Sequence, residues 1–136
     1  MAAWIKVLGS GREPLDDGWQ TAVHPGFDET FVAGRKRQRR MMRGDQIAFY
    51  AAGWKVVFAI GTVEGSAYES DDADWPWRVD VKLDSAHTVE FIHEGVPLRD
   101  ASVGDRNLLR SIQSKSHFEL TAPEFEAIKA GLQRTP

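Results

Sequence analysis

Hydrophobic positions in this chain come mostly in short runs punctuated by glycine, and only the C-terminal part shows helical spacing. Residues 4–8 form an apolar run containing one lysine, Lys6, and Gly9, Ser10 and Gly11 end it, so a first strand is predicted there. Residues 12–34 are irregular and read as a loop, with one helical turn around residues 28–32; a loop of this length in a compact domain is more often functional than idle. Residues 35–42 hold good helix formers and no breaker. They predict a short helix with Met41 and Met42 inward, stopped by Gly44.

Gln46–Ala51 and residues 54–64 are rich in Val, Ile, Phe and Tyr and read as a hairpin. Residues 56–60 are continuously apolar, so both faces of that strand are buried, which suits a curled sheet or barrel. Residues 77–84 alternate: Trp77, Val79, Val81 and Leu83 share one face, and Arg78, Asp80, Lys82 and Asp84 the other. These three runs predict strands of one antiparallel sheet. Residues 88–92 are a weaker strand, and 96–98 a loop returning to the core. Asp105 is placed to cap a helix over residues 106–113. Thr121, Ala122, Pro123 and Glu124 form a capping box before a last helix. Leu120 and Phe125 occupy its staple positions, and Phe125, Ile128 and Leu132 its buried stripe.

Composition narrows the class. A length of 136 residues suits one domain, residues 1–136, with a real core. There is no cysteine, hence no disulfide, thiolate nucleophile or thiolate zinc site. The N-terminal stretch lacks a signal-peptide pattern, no apolar run reaches bilayer length, and a cytoplasmic protein is expected. The net charge of −3 argues against coating DNA by bulk attraction. That average hides a basic cluster at Arg35, Lys36, Arg37, Arg39, Arg40 and Arg43 and an acidic one at Glu69, Asp71, Asp72 and Asp74.

Catalytic chemistry finds little support. His24, His87, His93 and His117 lack metal-ligand spacing, no glycine-rich phosphate loop or Gly-x-Ser-x-Gly elbow occurs, and neither metal nor cofactor is expected. The acidic cluster reads as a solvated loop. The five tryptophans are more telling. Several aromatics fall at strand ends or in loops, where they either close the core or line a pocket for a flat ligand. Stacking one base on such a ring contributes roughly 1–3 kcal/mol, so binding a polymer also needs phosphate contacts. The basic cluster can supply them.

The order of these parts resembles the EVE domains of the PUA-like superfamily. Residues 43–50, Arg-Gly-Asp-Gln-Ile-Ala-Phe-Tyr, resemble their "GD…FY" strand; Ile60-Gly61-Thr62-Val63-Glu64 resembles "GIAEV"; and Trp77-Arg78-Val79-Asp80-Val81 resembles the aromatic-Arg-Val-Asp-Val strand. Val96-Pro97-Leu98, Leu108-Leu109-Arg110 and the Leu-Thr-x-x-Glu-Phe helix opening follow in the family's order. At the N-terminus the family's Lys-Ser-Glu-Pro is replaced by Leu8-Gly9-Ser10-Gly11, and only Ser10 matches.

The resemblance implies an α+β fold: a small, mostly antiparallel PUA-like β-barrel flanked by helices. It also implies a non-enzymatic module that reads a modified, methylated nucleobase of DNA or RNA in an aromatic pocket. Trp77, Trp75 and Trp54 are its candidate walls, with Tyr50 in reserve. Ser10, Ser114, Ser116 and His117 are candidate polar contacts. Arg37, Arg39, Arg40 and Lys115 are candidate phosphate contacts. Such a reader acts as a monomer or weak dimer, away from membranes, alone or with a separate effector protein. Two alternatives stand beside it. One is a hydrolase of acylated nucleosides like some of the related ASCH group, whose Gly-x-Lys-x-x-Glu-x-Arg motif is absent here. The other is a protein-interaction domain that kept the fold.

Overall fold

The structure, a computed structural model, describes residues 2–9, 30–98, 108 and 117–133. The strands are β1 (Ala3–Leu8), β2 (Phe31–Gly34), β3 (Gln46–Ala51), β4 (Val56–Val63), β5 (Tyr68–Glu69), β6 (Trp77–Thr88), β7 (Val96–Pro97) and β8 (His117–Leu120). A short 3-10 turn spans Ile92–Glu94, and helix α1 spans Ala122–Gln133. One curled sheet runs β2-β6-β4-β3-β1-β8, with β5 added to β6 and β7 to β4. β1 and β3 are parallel, and the other described pairs are antiparallel. This is the α+β, PUA-like architecture: a half-closed barrel with a helix packed on it.

β4 is the central staple. Its residues from Val56 to Ile60 are all buried, as a continuously apolar run requires. It lies between β3 and β6, so the hairpin and the antiparallel triplet hold. β6 keeps its alternation through Val79 and Val81, which are buried, and Asp80 and Lys82, which are exposed. Helix α1 packs against β6, β4, β1 and β7, burying Phe125, Ile128 and Leu132. Its capping box forms as written in the sequence. Thr121 N donates to Glu124 Oε1 at 2.8 Å, and Glu124 N donates to Thr121 Oγ1 at 3.3 Å.

Four local expectations are corrected. Residues 31–34 form strand β2, not the end of a loop with a helical turn, because Val32 finds Val79 across the sheet and both are buried. Residues 88–92 are not a separate strand. β6 continues to Thr88 across an excursion at residues 84–87, since Ala59 pairs with Thr88 and Gly61 with Leu83. Asp84 knots that excursion: Ala86 N donates to its Oδ1, Thr88 Oγ1 donates to its carbonyl, and His87 Nδ1 lies 2.7 Å from its Oδ2. Residues 96–98, read as a loop, include the short strand β7.

A fourth correction matters most. Residues 35–42 are not helical. A helix there stacks Arg35 on Arg39, Lys36 on Arg40 and Arg39 on Arg43, all like-charge pairs four apart. The irregular path instead lays single arginines over separate tryptophan rings. Met41 is buried and Met42 is 64% exposed, so only one of the two methionines serves the core. The helix predicted over residues 106–113 lies outside the described residues apart from Leu108, which is buried.

Candidate base-binding cleft

The site is built on the edge where β1 meets β8. Lys6 pairs with His117 and Trp4 with Glu119. Residues directly opposite in a ladder share a face, and alternation puts Trp4 and Lys6 on the same one. Against this face come residues 37–40. Trp4, Arg37, Arg39, Arg40, His117, Phe118 and Glu119 line a cleft of about 340 Å³. That is within the range of roughly 300–1,000 Å³ usual for small-molecule sites.

Asp45 fixes this corner. Its Oδ2 accepts from Trp4 Nε1 at 2.9 Å and from Met42 N at 3.0 Å, and its Oδ1 accepts from Ala2 N at 3.1 Å. Burial by itself raises the Asp45 pKa, but these bonds outweigh it and hold the carboxyl below its ordinary value. The Gly44-Asp45 pair thus joins β1, the basic segment and β3. Gly44 takes a positive φ of 93°, which a side chain rarely adopts, and its N–H donates to Val63 O at 2.8 Å.

Behind the cleft the polar inventory is unusual. Lys6 is 2% exposed, and no carboxylate among the described residues pairs with it. Burial pulls its pKa down to about 8. Gln38 is 1% exposed, and neither its Nε2 nor its Oε1 has a hydrogen-bond partner among the described residues. The two groups converge on Gly34. A Cβ there would sit 3.2 Å from Gln38 Nε2 and 3.4 Å from Lys6 Nζ. His117 is half-buried, and burial together with the charges of Lys6, Arg40 and Lys36 keeps its pKa below the ordinary imidazole value. The ring is therefore neutral near pH 7, and it lies 6.3 Å from the Trp4 ring, centroid to centroid.

Cations rest on aromatic faces around the opening. Arg40 lies 5.4 Å from the Trp4 ring centroid, Arg37 lies 5.3 Å from that of Trp77, and Arg35 lies 5.4 Å from that of Trp75. Arg40 also reaches Glu119 at 3.6 Å, an exposed pair that adds little stability.

The anticipated site residues fall into three groups. His117, Arg37, Arg39 and Arg40 come together at the cleft, and Trp77 joins its margin through Arg37, whereas Trp75 lies under Arg35, which does not line the cleft. Trp54 and Tyr50 are not brought there. Trp54 follows β3 in the turn before Val56, whereas Trp77 lies beyond the Val63 end of β4. The full eight-residue strand, roughly 26 Å at about 3.3 Å per residue, separates them. Tyr50 pairs with Val7 and so takes the face opposite Lys6 and Phe49; it is 5% exposed, and burial raises its pKa. Ser10, Ser114, Lys115 and Ser116 lie outside the described residues.

Sequence reasoning missed Lys6, Gln38, Gly34 and, as a wall, Trp4. Two signals were present. Lys6 is the one charge within an otherwise apolar strand, and Gln38 is the one uncharged residue between Arg35 and Arg40. Both break the local pattern, which is where function is to be sought. Among the described residues, no group of three or more His, Asp or Glu side chains is arranged to hold a metal ion.

No protein-family model and no curated protein matches this chain. Solved structures do share its fold. They include Atu2648 from Agrobacterium tumefaciens, with 20% identity, a TM-score of 0.63, and coverage of 100% of this chain and 97% of the other. Rpa0253 from Rhodopseudomonas palustris is also 20% identical, with a TM-score of 0.62 over 96% of this chain and 92% of its own. Human THYN1, solved in complex with DNA containing 5-methylcytosine, is 17% identical, with a TM-score of 0.61 and full coverage of both chains. At these identities the likeness is one of fold.

Proposed function

We propose that this chain is a non-enzymatic, EVE-type module that binds nucleic acid and holds one modified nucleobase in the Trp4–His117 cleft. The observation that carries this reading is the buried Gln38 amide, with a donor and an acceptor both unpartnered among the described residues, set behind a cationic, tryptophan-walled cleft. A buried polar pair of this kind is costly unless a ligand completes it. A nucleobase edge offers an adjacent donor and acceptor at the spacing of a carboxamide, which is why glutamine reads bases in pairs of bonds. Trp4 supplies a stacking face, worth roughly 1–3 kcal/mol per base. Arg37, Arg39 and Arg40 stand where a backbone phosphate would pass, and Lys115 is proposed as a further contact. Trp77 and Trp75 are proposed as outer walls for the flanking nucleotide; Ser10, Ser114 and Ser116 remain proposed polar contacts. The fold shared with THYN1, solved with methylated DNA, supports the same partner class.

The test is a titration of oligonucleotides with and without a modified cytosine, against the wild type and Gln38→Leu. The wild type is expected to prefer the modified strand. Gln38→Leu, nearly isosteric and apolar, is expected to lose that preference while keeping its melting temperature or raising it. Equal binding of modified and plain strands by the wild type would sink the reading.

A further inference from the structure

The buried lysine says more about the ligand than the aromatic walls do. Lys6 lies on the cleft's face of β1, opposite His117, with its side chain inside the sheet. A buried ammonium is normally neutralised by a carboxylate, and none among the described residues serves. Its surroundings add positive charge instead. Lys36 and Arg40 bear electrostatically on neighbouring His117, and Arg37 lines the cleft. Glu119, the one carboxylate among the lining residues, is drawn to Arg40. A plain methyl group placed here would leave the ammonium uncompensated.

We propose that the modified base carries an anionic substituent which seats on Lys6 while Gln38 pairs with the neighbouring base edge. This rests on the reading of the cleft as a base-binding site and specifies which modification it favours. Lys6 Nζ and Gln38 Nε2 both lie within 3.4 Å of the point a Gly34 Cβ would occupy. A single flat group whose charge and hydrogen-bonding edge are adjacent satisfies both at once. A cytosine carboxylated at C5 has that arrangement, because its carboxylate adjoins the exocyclic amine. A bare Cα at position 34 lets the ends of Lys6 and Gln38 come this close together, because a Cβ there would crowd both, and this explains a glycine whose φ needs none. A chain-end phosphate offers the same anionic chemistry from a different source.

The experiment uses fluorescence anisotropy with strands carrying one 5-carboxylcytosine, one 5-methylcytosine or unmodified cytosine, each with and without a 5′-phosphate. The carboxylated strand is expected to bind about tenfold or more tighter than the methylated one, the order expected when a buried charge gains its partner. Lys6→Met is expected to erase that gain, so that the carboxylated and methylated strands bind it equally well. Lys6→Gln provides a second, polar variant, and thermal melts confirm that each folds. A Lys6-dependent gain from the 5′-phosphate instead supports the anion seat and locates it at a strand end. Equal binding of carboxylated and methylated strands, both above plain, overturns the anion and leaves the base-binding reading intact. A carboxylate preference that survives both Lys6 variants overturns the role of Lys6. Indifference to every modification overturns both readings together.

Discussion

At the scale of single residues, Lys6 places a titratable amine inside the fold at a cost in stability. Burial lowers the Lys6 pKa from 10.5 to about 8, so the folded protein carries the full cost of a buried charge below pH 8. The sign follows from proton counts. Between about 8 and 10.5 the unfolded chain holds a proton at Lys6 that the folded chain has released, so stability rises with pH through that window. The shift corresponds to about 3 kcal/mol. Lys6→Met is therefore expected to be more stable than the wild type by about 2–3 kcal/mol at pH 7. Chemical denaturation at pH 7 and pH 10 should show the gap between the two proteins closing as pH rises. A structural lysine gives the opposite result, a destabilised variant at pH 7. Such a gain in stability on losing a polar group is the usual signature of a functional position.

At the scale of elements, the sheet depends on close backbone approaches as much as on apolar burial. At Gly61 a Cβ would fall 2.5 Å from the carbonyl oxygen of Lys82 and 3.2 Å from Leu83 Cα, both backbone atoms of the adjacent strand. This is the point where the β4–β6 register shifts, between Ala59 and Gly61. Neither atom can yield without moving a strand, so Gly61→Ala is expected to cost about 2–3 kcal/mol in urea unfolding. Gly34→Ala should differ, because the atoms it meets first are the far ends of Lys6 and Gln38. The Gly61 contact was not legible in the sequence, where that residue is only one of the glycines that punctuate the apolar runs. The C-terminal helix is the reverse case. Its cap, staple and stripe are all local in the chain, and each appears where the sequence placed it.

At the scale of the whole molecule, a net charge of −3 coexists with a cationic face. Residues 35–40 carry five cations into or beside the cleft, whereas the acidic loop folds back on itself. There Asp72 Oδ1 accepts from Asp74 N and Trp75 N, and Tyr68 donates its hydroxyl to Asp80. Local potential rather than net charge governs an encounter with nucleic acid. Arg39→Ala is expected to weaken all strands alike and to reduce the slope of log affinity against log salt by about 1, leaving the preference for a modified base untouched. A titration at several salt concentrations reads both effects. Loss of the preference without a change of slope would place Arg39 at the base instead of the phosphate.

Periodicity, turn residues and caps are properties of neighbours in the chain, and they determined much of this protein in advance. The buried β4, the alternating β6, the β3–β4 hairpin and the capped last helix follow from them. Tertiary structure decided what depends on meetings between distant residues. It set the parallel pairing of β1 with β3, and it drew residues 35–42 out of a helix onto three separate tryptophans. It put Trp54 and Trp77 at opposite ends of one strand. Above all it brought Lys6, Gly34 and Gln38 to a single point. The sequence marks those residues only as exceptions to their local patterns, because the reason for an unpaired charge or amide lies in the space it faces once the sheet has curled.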